Sequence, residues 1–133
     1  RRVSEGVTKV LVVTSDDNLV RHLAAPENPH VALRFARDGY EASALLPGLC
    51  PTFVVVDEEV VRAGEPRLLD SLAADLRVPG IKIILAVSPG KSRHREIGKL
   101  VAGVIEKPFD VEGIAAVVRR FPIESLTLGV RSG

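Results

Sequence analysis

The chain has 133 residues, of which 46% are hydrophobic and 26% are charged, and its formal net charge at pH 7 is +1. This size and composition predict one domain with a core of its own, and the balanced charge argues against a strongly electrostatic nucleic-acid binder.

The single cysteine, Cys50, excludes an internal disulfide and a multi-cysteine zinc site, so we expect it to pack as a small hydrophobe near the start of a strand. No apolar run reaches the length of a membrane span and no signal peptide is visible, which favours a soluble cytoplasmic domain. Because the chain does not begin with Met, we expect it to be cut from a longer polypeptide or trimmed.

The first half of the chain predicts two strands that alternate with two helices. Residues 9–14 are rich in β-branched side chains and predict the first strand. Residues 15–18 are typical of a helix start, and apolar residues then recur at helical spacing until Pro26. Residues 31–36 alternate between large apolar and other side chains, which indicates a strand near an edge of the sheet. Helical periodicity returns over residues 40–46 and ends where proline and glycine follow.

The second half continues the alternation with three more strands and three more helices. The apolar runs that predict strands are residues 53–57, 81–87 and 104–105. The helical patterns cover residues 66–76, a basic stretch at 91–99, and 111–121, while residues 58–64 are predicted as a loop. This order predicts a five-stranded parallel sheet with helices on both faces, joined by right-handed crossovers. The predicted domain spans residues 9–121, with residues 1–8 and 122–133 as linkers or tails.

Two of the buried strands end in side chains that can carry chemistry. Asp57 ends one apolar run, and Lys107 follows another. The carboxyl ends of parallel strands line the crevice where this class of fold binds ligands, so an acid and a base there indicate a phosphoryl or metal site. The first strand ends in Thr14 and Ser15, which bring no carboxylate, and the site is therefore incomplete.

Together these residues resemble a known family, the CheY-like receiver domains of two-component response regulators, over about residues 9–121. Residues 35–42 resemble the passage from the second strand to the second helix, and residues 51–57 resemble the third strand that ends in the phosphoryl acceptor. Residues 107–109, Lys-Pro-Phe, resemble a tripeptide in which the family usually has a cis bond. The resemblance implies a flavodoxin-like (βα)5 fold, a doubly wound sheet in three α/β/α layers, with Asp57 as the phosphoacceptor and Lys107 beside the phosphoryl group.

The sequence departs from the family at the metal site. Intact receivers end the first strand with two acidic residues that help to hold Mg²⁺, and here Thr14 and Ser15 stand at those positions. Mg²⁺ prefers hard oxygen ligands and usually takes one or two carboxylates. The candidate ligands are Asp57, Asp16 and Glu59, and we expect them to bind Mg²⁺ weakly or not at all. A one-residue bulge at the strand end would bring Asp16 inward.

The sequence also departs at the two positions that move when an intact receiver is switched. The family's Thr or Ser at the end of the fourth strand falls on Val87, and its aromatic residue on the fifth strand falls on Val104. Val87 cannot donate a hydrogen bond to a phosphoryl oxygen, although Ser88 follows it, and Val104 cannot swing as a ring does. An ion pair between Asp57 and Lys107 would then hold the site in one stable arrangement that needs neither metal nor phosphate.

Each of these residues also has a plainer interpretation. Asp57 is equally consistent with a cap for the following loop, and Lys107 with a structural ion pair. The largest charge cluster is either a solvated face or a docking patch for an acidic partner. With one residue of the last helix, this predicted patch comprises Lys91, Arg93, Arg95, Lys99 and Arg119.

We therefore predict a non-enzymatic, receiver-like signalling domain with a degenerate phosphorylation site that acts through protein contacts. The resemblance implies a sensor kinase or an output domain as partner, and a possible homodimer through the face of fourth helix, fifth strand and fifth helix. We expect no direct contact with nucleic acid or membrane. The alternatives are a phosphorylatable receiver that uses Asp57 with weak Mg²⁺ assistance, a structural dimerisation module, and a small-ligand-binding flavodoxin-like domain. The last requires a sizeable apolar pocket at the strand ends, which nothing in the loops predicts.

Overall fold

In the computed structural model, residues 7–24, 28–63, 68–75, 80–89 and 101–120 are described, and their apolar runs form five strands. The strands are β1 (Thr8–Val13), β2 (Val31–Ala36), β3 (Phe53–Asp57), β4 (Lys82–Val87) and β5 (Gly103–Glu106). They form one sheet in the order β2-β1-β3-β4-β5, and every neighbouring pair is parallel. This is the order of the doubly wound flavodoxin-like sheet, so the predicted fold class is confirmed.

Five helices connect or follow the strands within the described residues. They are α1 (Asp17–Ala24), α2 (Gly39–Leu49), α3 (Glu58–Arg62), α4 (Leu68–Ala73) and α5 (Val111–Arg119). The predicted loop at residues 58–64 is wrong, because the Asp57 side chain accepts a hydrogen bond from the Glu59 N–H and so caps a short helix there. None of the helices in the described part of the chain has the length and apolar content needed to cross a membrane. The helix predicted at residues 91–99 and most of the predicted terminal linkers lie outside the described residues.

The core lies on both faces of the sheet, because the central strands bury side chains in both directions. Leu11 and Val13 of β1 pack on the face covered by α2, α3 and α4, whereas Val10 and Val12 pack on the face covered by α1 and α5. All five residues of β3 are buried. A strand covered on both faces reads as a continuous apolar run, which is why β3 was predictable.

The strand register brings the carboxyl ends of four strands to the same edge of the sheet. Val13 of β1 lies beside Val56, and Asp57 lies beside Ala86 of β4. Val87 in turn lies beside Glu106 of β5. The residues that follow these positions therefore meet above one edge, and this edge holds the candidate site.

The end of α2 differs from prediction. The helix runs three residues past its expected end, with Pro47 inside it, and closes with the Cys50 N–H donating to the carbonyl of Leu46. Cys50 takes a left-handed backbone conformation with φ of 49°, and its side chain is exposed. The prediction that Cys50 packs as a small hydrophobe is therefore wrong, because the residue terminates a helix at the surface.

Replacing Cys50 by glycine is expected to raise the free energy of unfolding by roughly 0.5–1 kcal/mol, since glycine adopts the left-handed conformation without the Cβ penalty. Urea unfolding of the purified chain measures this. Cys50→Ala is the matched control, because it removes the thiol and keeps the penalty. Equal stabilisation by alanine and glycine would contradict the backbone explanation.

Candidate functional site

Asp57 is the centre of the polar site at the sheet edge. Its side chain is 2% exposed, and both of its oxygens accept hydrogen bonds. The Thr14 hydroxyl donates to Oδ2 at 2.7 Å, and Lys107 Nζ donates to Oδ1 at 2.9 Å. The Glu59 N–H adds a third bond to Oδ1 at 3.0 Å. Asp57 thus acts at once as a helix cap and as an ion-pair partner, which are the two plainer interpretations of this site.

Thr14, the neutral residue directly after β1, is part of the hydrogen-bond network around Asp57. It is 1% exposed, and its Oγ1 accepts a hydrogen bond from the Asp16 N–H at 3.0 Å while donating to Asp57. Its own N–H donates to the carbonyl of Ala36, which fixes its position. The signal in the sequence was a hydroxyl residue directly after a buried strand that neighbours the strand of Asp57.

The carboxylates of the other two candidate metal ligands, Asp16 and Glu59, form contacts with protein groups. Asp16 Oδ1 accepts hydrogen bonds from the backbone N–H groups of Asn18 at 2.9 Å and Leu19 at 3.3 Å, so it caps α1. The Glu59 carboxylate pairs with Arg62 at 3.6 Å. Within the described ranges no group of three His, Cys, Asp or Glu residues could hold a metal ion. This donor set does not fit a tightly held Mg²⁺, and the predicted weak or absent binding stays a prediction.

Asp16→Ala is expected to lower the free energy of unfolding by about 1 kcal/mol, because the first N–H groups of α1 lose their acceptor. Asp16→Asn is expected to have almost no effect, since asparagine caps a helix equally well. Thermal or urea unfolding in the absence of metal measures both variants. An asparagine variant as unstable as the alanine variant would show that the negative charge, rather than the cap, is what matters at this position.

The Lys107 side chain reaches Asp57 because the loop after β5 is closely held. The Lys107 N–H donates to the carbonyl of Val87 at 2.8 Å, and the Lys107–Pro108 peptide bond is cis, as the resemblance implies. Phe109 is buried against the α1 and α5 face, which anchors the far end of the loop. The structure therefore brings together Asp57 and Lys107 as predicted, with the lysine side chain 15% exposed.

Solved structures with a similar fold identify the fold on which this site lies. The chemotaxis response regulator CheY4 of Vibrio cholerae is 17% identical over 86% of this chain and 98% of its own, with a TM-score of 0.71. The REC domain of AraT, a response regulator from Geobacillus stearothermophilus, is 21% identical over 86% of this chain and 92% of its own, with a TM-score of 0.67. The fold is that of a receiver domain.

NtrX from Brucella abortus shows the same fold within a longer protein. It is 21% identical to this chain, the match covers 95% of this chain and 29% of NtrX, and the TM-score is 0.69. No protein-family model matches the chain, and no curated protein matches it either. The likeness to receivers is thus one of structure, at low sequence identity.

The receiver fold places the remaining predicted site residues as follows. Val87 is fully buried and packs on the face covered by α2, α3 and α4. Ser88 is partly buried beside it. Val104 is 37% exposed, near the open edge of β5. An apolar side chain therefore stands at each of the two positions that move in the family.

Glu58 is the residue that sequence reasoning missed. It is 1% exposed, and its Oε2 accepts a hydrogen bond from the Ser88 N–H at 3.0 Å. The sequence does not point to Glu58, because its pattern predicts a loop at residues 58–64. The available signal was an acidic residue directly after a buried strand, next to the end of the fourth strand across the sheet.

The predicted partner surface is described only in part. Of its five basic residues, Arg119 lies in the last turn of α5 with its side chain exposed. The other four, Lys91, Arg93, Arg95 and Lys99, lie outside the described residues. The docking patch stays a prediction.

A cavity of about 390 Å³ lies beside the site, between the start of α1 and the loop after β5. Its lining residues are Asp16, Asn18, Leu19, His22, Pro89, Lys107 and Pro108. The expectation that the loops at the strand ends form no sizeable pocket is therefore wrong. The reason is that prolines and a leucine from distant parts of the chain, rather than aromatic residues, form its apolar walls.

Proposed function

We propose that this chain is a receiver-like signalling domain of a two-component phosphorelay system, with a degenerate phosphorylation site. In this proposal it is not an enzyme, and it works in the cytoplasm through contacts with other proteins. The receiver fold supports the class of domain, and the pairing of Asp57 with Lys107 at the strand ends supports the proposed position of the phosphorylation site. The degenerate character rests on the contacts of the site itself.

The observation that carries the proposal is that protein groups already occupy both oxygens of Asp57. Phosphoryl transfer to a carboxylate needs an oxygen that can attack and cations that neutralise the incoming charge. Here Thr14 and Lys107 each hold one oxygen, at 2.7 and 2.9 Å. Asp16, one candidate for a second metal-binding carboxylate, caps α1 instead. The site therefore rests in a closed arrangement that is stable without phosphate or metal.

The two departures at Val87 and Val104 support the same proposal. A phosphorylation signal has to change the position of some group before a partner can sense it. Val87 has no hydroxyl to bond a phosphoryl oxygen, and Val104 has no ring to move inward. A domain without these parts transmits little through the usual route, even if it accepts a phosphoryl group.

The proposed partner is a sensor kinase or an output domain, in the same chain or another. The contact face comprises the predicted basic patch, the edge of β5 and the outer side of α5. Val104 and Arg119 are among the described side chains that this face exposes, together with Glu106 of β5 and Arg120 after α5. The same face is proposed for a homodimer.

Phosphoryl transfer tests the proposal directly. The purified chain is incubated with acetyl phosphate or phosphoramidate and Mg²⁺, and its intact mass is measured, with Asp57→Asn as the control. We expect no added phosphoryl group in either protein. A phosphoryl adduct that forms in the wild type and is lost in the control would overturn the degenerate site.

A phosphorylatable receiver is the second candidate, and one observation favours it. Lys107 Nζ lies 2.9 Å from Asp57 Oδ1, which places a cation beside the acceptor. In this version Asp57 accepts the phosphoryl group with weak Mg²⁺ assistance after Asp16 leaves its cap. The Mg²⁺-dependent adduct described above is its expected result.

A small-ligand-binding domain is the third candidate, and the cavity of about 390 Å³ favours it. That volume lies in the range of small-molecule sites. Amide shifts of Leu19 and Lys107 in the presence of nucleotides, flavins and metabolite-sized acids would reveal an occupant. Unchanged shifts at millimolar concentrations would remove this candidate.

A further inference from the structure

We propose that Glu58 is a positioning residue that couples the state of Asp57 to the end of β4 through the Ser88 amide. The inference deepens the proposed function, because it names the route by which this receiver-like domain transmits changes at its site. It concerns a residue that the family resemblance does not single out. Glu58 is linked on one side to the turn that Asp57 caps and on the other side to the end of β4.

The first link is the turn between β3 and α3. The Asp57 side chain accepts a hydrogen bond from the Glu59 N–H at 3.0 Å and caps α3, so its carboxylate is tied to the backbone that carries Glu58. The two residues are adjacent and both are 1% exposed. Buried side chains on one capped turn have little freedom to move independently. A change in the contacts of Asp57 therefore shifts the turn and Glu58 with it.

The second link joins this turn to β4. Glu58 Oε2 accepts the Ser88 N–H at 3.0 Å, across 30 positions of sequence. A hydrogen bond to a charged acceptor is stronger than a neutral one, and burial strengthens it further. The Ser88 amide therefore follows the Glu58 carboxylate.

The two links belong to a closed ring of contacts. Lys107 Nζ bonds Asp57, and the Lys107 N–H donates to the carbonyl of Val87. Val87 is covalently joined to Ser88, whose N–H returns to Glu58 and so to Asp57. A ring of this kind responds as a unit, because each bond positions the next. It supplies a connection between Asp57 and β4 at the place where Val87 lacks the usual hydroxyl.

Hydrogen exchange of the Ser88 amide, measured by NMR, tests the coupling. The Ile84 amide in the middle of β4 serves as the reference for global opening. We expect Glu58→Leu to speed Ser88 exchange about tenfold or more, since a hydrogen bond to a charged group is lost. We expect Asp57→Asn to change Ser88 exchange about fivefold in the wild-type background and less than about twofold in the Glu58→Leu background.

Two conservative variants separate coupling from simple packing. Glu58→Gln keeps an acceptor at the same reach and is expected to retain the response of Ser88 to Asp57→Asn. Glu58→Asp keeps the charge but is one methylene too short, so it is expected to lose the response. This pair also decides the matter if Glu58→Leu does not fold.

An equal response of Ser88 to Asp57→Asn with and without the Glu58 acceptor would overturn the inference. So would a response that Glu58→Asp preserves and Glu58→Gln abolishes. The experiment uses no phosphoryl donor and no metal. Its outcome is therefore independent of whether Asp57 accepts a phosphoryl group, which the mass measurement decides separately.

Discussion

Lys107→Met is expected to lower the free energy of unfolding by about 3 kcal/mol, because it leaves a buried carboxylate without its cation. The Asp57 side chain is 2% exposed, and the lysine side chain that pairs with it is 15% exposed. Methionine keeps most of the length and apolar stem of lysine, so packing around the loop changes little. The Thr14 hydroxyl and the Glu59 N–H still donate to Asp57, which limits the loss. Urea unfolding at neutral pH measures the effect.

Two further variants show whether the charge is responsible. Lys9 is exposed on β1, and Lys9→Met is the matched control, expected to change stability by less than about 0.5 kcal/mol. The double variant Asp57→Asn with Lys107→Met removes both charges and is expected to lie within about 1 kcal/mol of the wild type. A double variant as unstable as Lys107→Met alone would mean that lysine acts through packing, and not through the ion pair.

Thr14→Asp is expected to destabilise the metal-free chain by about 3 kcal/mol or more and to make its stability depend on Mg²⁺. Thr14 Oγ1 lies 2.7 Å from Asp57 Oδ2, with both residues buried. A second carboxylate in this place repels the first unless a proton or a cation joins them. Mg²⁺ at 100 times its dissociation constant would return about 2.7 kcal/mol. Thermal unfolding with and without millimolar Mg²⁺ measures both effects.

Thr14→Val is the matched control for this variant. Valine has the same shape but no hydroxyl, so the variant loses a hydrogen bond to Asp57 at a cost of about 1–3 kcal/mol and gains no metal dependence. Wild-type stability that already rises with Mg²⁺ as steeply as that of Thr14→Asp would contradict the account. It would mean that the natural residues hold the metal without an acid at position 14.

The fold could be predicted because the central strands of the sheet are uninterrupted apolar runs in the sequence. Residues 53–56 are buried on both faces, and their β-branched side chains indicate a central strand on their own. β2 alternates because it lies at the edge of the sheet, and its burial follows that alternation over residues 31–35, before the buried Ala36. Lys107 and Asp57 were predicted to meet because the carboxyl ends of parallel strands share an edge.

The parts of the site that were missed depend on contacts across long stretches of sequence. The Glu58 side chain looks like a surface acid until the end of β4, 30 positions away, supplies its amide partner. The role of Asp16 depends on the backbone at the end of β1. Without a bulge Asp16 caps α1, whereas a one-residue bulge would turn it toward Asp57. The prediction that Cys50 packs as a small hydrophobe near a strand fails because α2 runs past Pro47 and ends at Cys50 on the surface.

In the proposed function, Asp57 rests in a closed network of protein donors and binds neither Mg²⁺ nor a phosphoryl group in a productive way. NMR of the isotopically labelled wild-type chain, titrated with Mg²⁺ and then with beryllofluoride, tests this most directly. We expect no saturable shifts at Thr14, Asp57, Ser88 or Lys107 up to millimolar Mg²⁺, and no fluorine signal from a bound beryllofluoride adduct. Saturable shifts at these residues, with an adduct that Asp57→Asn abolishes, would contradict it and establish a working receiver.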